Sequence, residues 1–113
     1  MHEMSLAESV REIVEDTARV NGARRVAVVR LEIGKLSQVE VEAMRFAFEV
    51  VMRGTLAAAA RLEITETEGS AWCMRCSLPV VIAQRGDGCP MCGSHQLQVT
   101  GGERMRVLEI EIE

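Results

Sequence analysis

The sequence predicts an α+β fold, a layer of two helices and three strands with a small metal-binding module inserted before the last strand. Three observations predict it. Apolar residues recur at helical spacing in two stretches and in β-branched or alternating runs in three others. All four cysteines, both prolines and six of the nine glycines fall between Gly69 and Gly102. Beyond that segment, RVLEIEIE alternates apolar and acidic residues, as a half-buried returning strand would.

Taken in order, Leu6, Val10, Ile13, Val14 and Ala18 carry the first helix, over residues 5–20. SLAE opens it as a capping box from Ser5 to Glu8, which leaves Met1–Met4 outside or in a frayed first turn. Asn21-Gly22 is a stop signal. RRVAVVRLEI gives a strand over residues 24–33, broken by Gly34. SQVE, from Ser37 to Glu40, is a second capping box. Val41, Met44, Ala47, Phe48 and Val51 continue from it as a helix to Arg53, where Gly54 ends it or the alanine run 57–60 prolongs it. RLEIT is a short strand. The tail then places Leu108, Ile110 and Ile112 on one face and Glu109, Glu111 and Glu113 on the other. Residues 1–68 together with 103–113 form one unit on this reading, and 69–102 the inserted module.

Composition narrows the function classes. With 48% apolar and 27% charged residues in 113, the chain reads as globular, one domain or a small domain with a smaller appendage. Aromatics are scarce and Tyr is absent, so the core rests on Val, Leu, Ile and Met. A net charge of −4 argues against nucleic acid as a partner. VVMRGTLAAAARL, the longest apolar stretch, is interrupted by Arg53, Gly54 and Arg61, so a membrane span is not expected. The amino terminus lacks the basic flank and apolar run of a signal peptide. A cytoplasmic location follows, and there thiols stay reduced and are better read as metal ligands than as disulfides.

WCMRCSLPVVIAQRGDGCPMCG contains Cys73, Cys76, Cys89 and Cys92, two C-x-x-C pairs separated by twelve residues. Each knuckle brings two thiolates to one ion, and two facing knuckles supply a tetrahedron of sulfur, which suits Zn²⁺. A short hairpin such as LPVVIAQ would span the gap. Four thiolates leave no open position for a substrate, so the zinc is structural. Rubredoxin-like iron and a redox disulfide are weaker rivals. His95, just past Cys92, reads as an exposed loop histidine ahead of a reserve ligand or a partner to a sulfur.

MHE at the start poses a separate chemistry. A residue as large as His2 protects the initiator methionine from removal, so the Met1 amine, the His2 amide nitrogen and the His2 imidazole can chelate one ion. Glu3 adds an amide or a carboxylate. Strong-field nitrogen donors in one plane favour Ni(II) or Cu(II). Taken alone, a terminal histidine is a weak signal and Glu3 a solvated acid.

Together these segments resemble the hydrogenase maturation nickel metallochaperones of the HypA/HybF type. MHEMSLAESV is similar to that family's start, GKLSQVE and FAFE to its G-x-L-S and F-x-F-E segments, and the two C-x-x-C pairs, the second as CPMCG, to its zinc motif. The resemblance implies a three-stranded mixed sheet with two helices plus a zinc-ribbon-like module. It implies a nickel carrier, not an enzyme, with Ni(II) as cargo and Zn(II) as structural ion. His2 becomes the essential nickel ligand with Met1 and Glu3 contributing, and Cys73, Cys76, Cys89 and Cys92 the zinc ligands. Implied partners are a HypB-type nickel GTPase and the hydrogenase large subunit precursor, and in some relatives urease accessory proteins, with the carrier a monomer or homodimer. Glu40 aligns with a position where some relatives carry an acid near nickel, but its capping role is the stronger reading. Ser77, where glycine is common, and the AAAA run depart from the family pattern. The rival reading is a zinc-ribbon interaction or transcription module without nickel. A metallohydrolase would need an open zinc position and a general base, and the sequence offers neither.

Overall fold

The protein is described by a computed structural model that covers residues 2–113, so Met1 lies outside the described residues. The first helix, α1, spans Glu3–Val20 and buries Ala7, Val10, Val14 and Ala18 along one stripe. Ile13, expected inside, is 49% exposed, because Ala7 rather than Ile13 lies on the sheet-facing line. The helix starts two residues before the expected Ser5, and the SLAE capping box does not form. His2 is the N-cap, without a side-chain bond, and the Leu6 amide donates to its carbonyl at 3.0 Å. Ser5 lies inside the helix, where its carbonyl accepts from the Ser9 hydroxyl. At the other end Gly22 is left-handed at φ 64°, and the Ala23 amide returns to the Ala18 carbonyl, closing the last turn.

Strand β1 runs Val26–Gly34, two residues later than expected, since Arg24 and Arg25 are taken up by backbone bonds to Glu113. Helix α2 follows at Val41–Met52 and buries Met44, Ala47, Phe48, Val51 and Met52. Here too the expected capping box is replaced. Ser37 donates its hydroxyl to the Gly34 carbonyl and accepts from the Val39 amide, shaping a turn, while Glu40 itself caps the helix by accepting from the Ala43 amide at 2.6 Å. Arg53 is the C-cap and Gly54 sits at φ 77°, so the helix ends there and the alanines beyond form turns.

Strand β2, Arg61–Thr67, lies parallel to β1, as expected of a strand–helix–strand crossover. The last strand, in chain order β6 at Met105–Ile112, lies antiparallel on the other side of β1, giving the mixed order β2-β1-β6. Both helices cover one face of this sheet, and Val29, Leu31 and Ile33 of β1 pack beneath them. The tail's strict alternation misplaces its apolar face. A register shift between Arg30 and Leu31 inserts an extra residue, so Val107 and Ile110 pack on the core while Leu108 and Ile112 are 43% and 38% exposed. On the open face Arg30 pairs with Glu63 of β2 and with Glu109 and Glu111 of β6.

Between β2 and β6 the chain builds a second, antiparallel sheet of order β4-β3-β5, with β3 at Gly69–Cys73, β4 at Leu78–Ile82 and β5 at Leu97–Gly101. LPVVIAQ is therefore not a hairpin. It holds one strand, and the first cysteine knuckle is itself the hairpin turn between β3 and β4. Ala71, Val80 and Ile82 form a separate apolar cluster, and Leu36, from the loop after β1, is buried in it. Gly34 meets Gly102 where the two sheets join: a Cβ on Gly34 would stand 2.2 Å from the Gly102 carbonyl oxygen. The whole is elongated, 53 × 24 × 17 Å.

Candidate metal centres

Cys73 closes β3 and Cys76 lies in the turn after it, while Cys89 and Cys92 lie in the loop before β5. That loop is shaped by Asp87, whose carboxylate accepts from the Ala83 and Gln84 amides at 3.1 Å each. All four sulfurs lie within 4.8 Å of one another. Cys73 and Cys92 are 3.7 Å apart, and Cys76 and Cys89 4.0 Å. A tetrahedral zinc with bonds of about 2.3 Å needs sulfur–sulfur edges of about 3.8 Å, so the cage fits this ion. Amides turn toward the sulfurs as the motif requires: Cys76 N–H to Cys73 Sγ at 3.3 Å and Met91 N–H to Cys89 Sγ at 3.4 Å.

The two knuckles share a backbone form. Ser77 N–H closes on the Cys73 carbonyl and Gly93 N–H on the Cys89 carbonyl, both at 2.8 Å, and both residues are left-handed, at φ 54° and 75°. The polarity of the cluster is uneven. The Cys92 and Met91 amides hold the Cys89 thiol down at about 7. Hydrogen bonding with Cys92, followed by burial and the crowding of Cys73 and Cys89, pushes Cys76 up to about 12. Four such sulfurs resist joint ionisation, and a divalent cation among them supplies the missing charge. His95 is exposed and is not part of this group.

At the amino terminus the structure brings fewer groups together. His2 is exposed and left-handed, at φ 60° and ψ 21°. Glu3 is half-buried, and its Oε2 accepts from the Glu40 amide at 3.1 Å. The amino-terminal charge first, and then the Glu40 amide, hold the Glu3 carboxyl down at about 2. Glu40 is engaged as the α2 cap. Met1, expected to give an amine donor, lies outside the described residues. Sequence reasoning missed the Glu3–Glu40 bond and the insertion of Leu36. Only the lone leucine in the polar GKLSQ segment hinted at the second.

Fold and cluster together define an α+β protein with a zinc-ribbon-like metal centre, and no described helix is long and apolar enough to cross a membrane. Residues 1–112 match the family model described as hydrogenase/urease nickel incorporation, metallochaperone, hypA. The chain is 57% identical over 112 residues to the hydrogenase maturation factor HypA of Azoarcus sp. (strain BH72), covering 99% of this chain and 98% of that one. It is 58% identical over 113 residues to that of Bradyrhizobium sp. (strain ORS 278), with both chains fully covered. The solution structure of the Ni metallochaperone HypA from Helicobacter pylori matches with a TM-score of 0.72 at 28% identity, over 99% of this chain and 97% of that one. The chain therefore belongs to the HypA family. It is a nickel-incorporation metallochaperone, a maturation factor and not a catalytic enzyme.

Proposed function

We propose that this chain binds Ni(II) at its amino terminus and delivers it to nickel–iron hydrogenase, with urease as a second client. The Met1 amine, the His2 amide nitrogen and the His2 imidazole are the donors, and Glu3 contributes at the same tip. Amine and amide, and amide and imidazole, each close a chelate ring, which suits an ion that prefers nitrogen in a square plane. The observation that carries the reading is the placement of His2: exposed, just ahead of α1, on a left-handed residue whose side chain makes no capping bond. A carrier needs this, because a tip open to solvent can exchange ligands one at a time with a receiving site.

Cys73, Cys76, Cys89 and Cys92 hold Zn(II) as a scaffold within a module of residues 69–102, while 1–68 with 103–113 form the nickel-binding unit. When bound, zinc ties the two knuckles into one turn-rich surface. The protein acts in the cytoplasm, taking nickel with a HypB-type GTPase and passing it to the hydrogenase large subunit precursor. Metal binding displaces protons from its ligands, so nickel affinity falls as the medium becomes acidic.

Titration of Ni²⁺ into zinc-loaded protein and into His2→Ala, followed by stoichiometry and charge-transfer absorption, tests this. Loss of the site in His2→Ala is expected. Equal binding by both would leave a zinc-ribbon interaction module instead. Residues added before Met1 should weaken binding with His2 intact, because the amine becomes an amide.

A further inference from the structure

The chain leaving β5 folds back over the end of the first sheet, and the join leaves a recess. On the open face of β2-β1-β6 the central strand ends at Gly34, which is in register with Thr67 of β2 and donates its amide to the Arg104 carbonyl at 2.8 Å. The Gly102 backbone lies where a Gly34 side chain would stand, and so forms an end wall. Two residues earlier on β1, Glu32 is in register with Arg106 of β6. Glu32, Thr67, Gly102, Arg104 and Arg106 thus line a hollow of about 240 Å³.

Its donors are mostly unspent. Arg106 gives Nε to Glu32 at 2.9 Å, and its two terminal nitrogens make no bond among the described residues. Arg104 is exposed, and its guanidinium has neither an ion pair nor a hydrogen bond among them, although its backbone is held by Gly34. The Thr67 hydroxyl is likewise unbonded among the described residues, while the Thr67 carbonyl accepts from the Lys35 amide. Neighbouring acids are engaged elsewhere, Glu103 with Arg85 at 3.1 Å and Glu68 with Lys35 at 3.7 Å. Two guanidinium groups against one carboxylate leave the hollow positive in a chain whose net charge is −4.

We infer that this recess binds a single carboxylate, presented by an acidic residue of a partner peptide, on the free guanidinium nitrogens of Arg104 and Arg106 with the Thr67 hydroxyl as a third donor. Guanidinium forks match the two oxygens of a carboxylate. Pockets that enclose whole small molecules run to about 300–1,000 Å³, so this hollow admits a side chain and not a nucleotide. One surplus positive charge balances one carboxylate, whereas the fixed Glu32 repels the second charge of a phosphate dianion or a di-acid. The site stands apart from the thiol cluster and from the amino terminus, so neither metal reading bears on it.

The test uses the zinc-loaded full chain, with amide and arginine side-chain NMR shifts followed during titration at fixed ionic strength. The probe is acetyl-Gly-Glu-Gly-amide, its Gln counterpart is the control, and inorganic phosphate and succinate are the rival anions. The Glu peptide should move Thr67, Gly102, Arg104 and Arg106 together and saturate with a Kd on the order of 1 mM, and the Gln peptide should not. Arg104→Gln should bind the Glu peptide about fivefold more weakly, the scale of one lost exposed hydrogen bond to a charged group. Glu32→Gln removes the competing charge and relaxes its hold on Arg106, so it should bind about threefold more tightly, a sign that a merely structural Glu32 would not give.

Equal shifts from the Gln peptide, or unchanged affinity in Arg104→Gln, overturn the inference. So does tighter binding of phosphate or succinate than of the Glu peptide, which would make the ligand a small free anion. A folded Glu32→Gln that gains no affinity overturns it as well. Should Glu32→Gln fail to fold, Thr67→Val takes its place: about threefold weaker binding supports the site, and full affinity sinks it.

Discussion

The thiol cluster and the amino-terminal tip hold their donors in opposite ways. Cys73 and Cys89 are buried, ringed by apolar neighbours and served by backbone amides, so the fold encloses the four thiols. His2 is exposed, its carbonyl accepting from the Leu6 amide and its side chain making no capping bond. Burial favours retention, whereas exposure favours exchange. A single small chain thus encloses four thiols within its fold and leaves an imidazole at its tip open to solvent, and the difference lies in how far the surrounding residues close over each. Leu36 shows that the regions still touch, since it leaves the sheet of β1 and enters the core around the cysteines.

The largest expected effect comes from zinc removal. Structural zinc in small modules contributes about 10–16 kcal/mol to folding, and the β3–β5 cluster has few large apolar groups to stand in for it. A strong chelator should therefore abolish amide protection at Ala71 and Val80 while Val29 and Leu31 stay protected. Equal loss at all four would show one cooperative unit and break the comparison. Leu36→Ala is next. A buried leucine lost from a packed cluster costs about 2–5 kcal/mol, and denaturant melting should show it. Faster exchange confined to β3–β5 would sharpen the division, and a change spread into α1 would blur it.

What could be read in advance follows the same line between local and distant. The cysteine cage was legible because a C-x-x-C knuckle specifies its own turn and two of them specify a tetrahedron. The helices were legible from their apolar stripes, but not their first residues. SLAE and SQVE look like capping boxes, yet α1 begins at Glu3, whose carboxylate is engaged by α2, and α2 is capped by Glu40 instead of Ser37. A bond across 37 positions leaves no local signature. Leu108 failed for a similar reason, because an alternating pattern carries no information on where a partner strand will force a bulge.

A smaller effect compares the two knuckles directly. Ser77 and Gly93 occupy equivalent left-handed positions, and only Ser77 carries a Cβ there. That conformation costs a non-glycine residue about 1–2 kcal/mol, and glycine returns about 0.5–1 kcal/mol through the freedom of its unfolded chain. Ser77→Gly should thus stabilise the zinc-loaded protein by roughly 0.5–1 kcal/mol, a rise of a few degrees in Tm. A fall in Tm would mean that the Ser77 side chain contributes something the knuckle geometry does not show.

The last contrast is in charge, and it should be the smallest. The open face of the β2-β1-β6 sheet sets Arg30 among Glu63, Glu109 and Glu111, whereas the β4-β3-β5 core carries no ion pair among the described residues. Arg30 first, then Arg61, hold the Glu63 carboxyl below its ordinary 4.5. A carboxylate lowered on folding stabilises above its unfolded value, and that contribution is lost as pH falls through the lowered one. Between about pH 6 and about pH 3, Glu63→Gln should therefore show a shallower decline in denaturant stability than the unaltered protein. The comparison belongs in the signal of the helices, where parallel declines would show that the Arg30 cluster adds nothing to the stability of the β2-β1-β6 sheet and its helices.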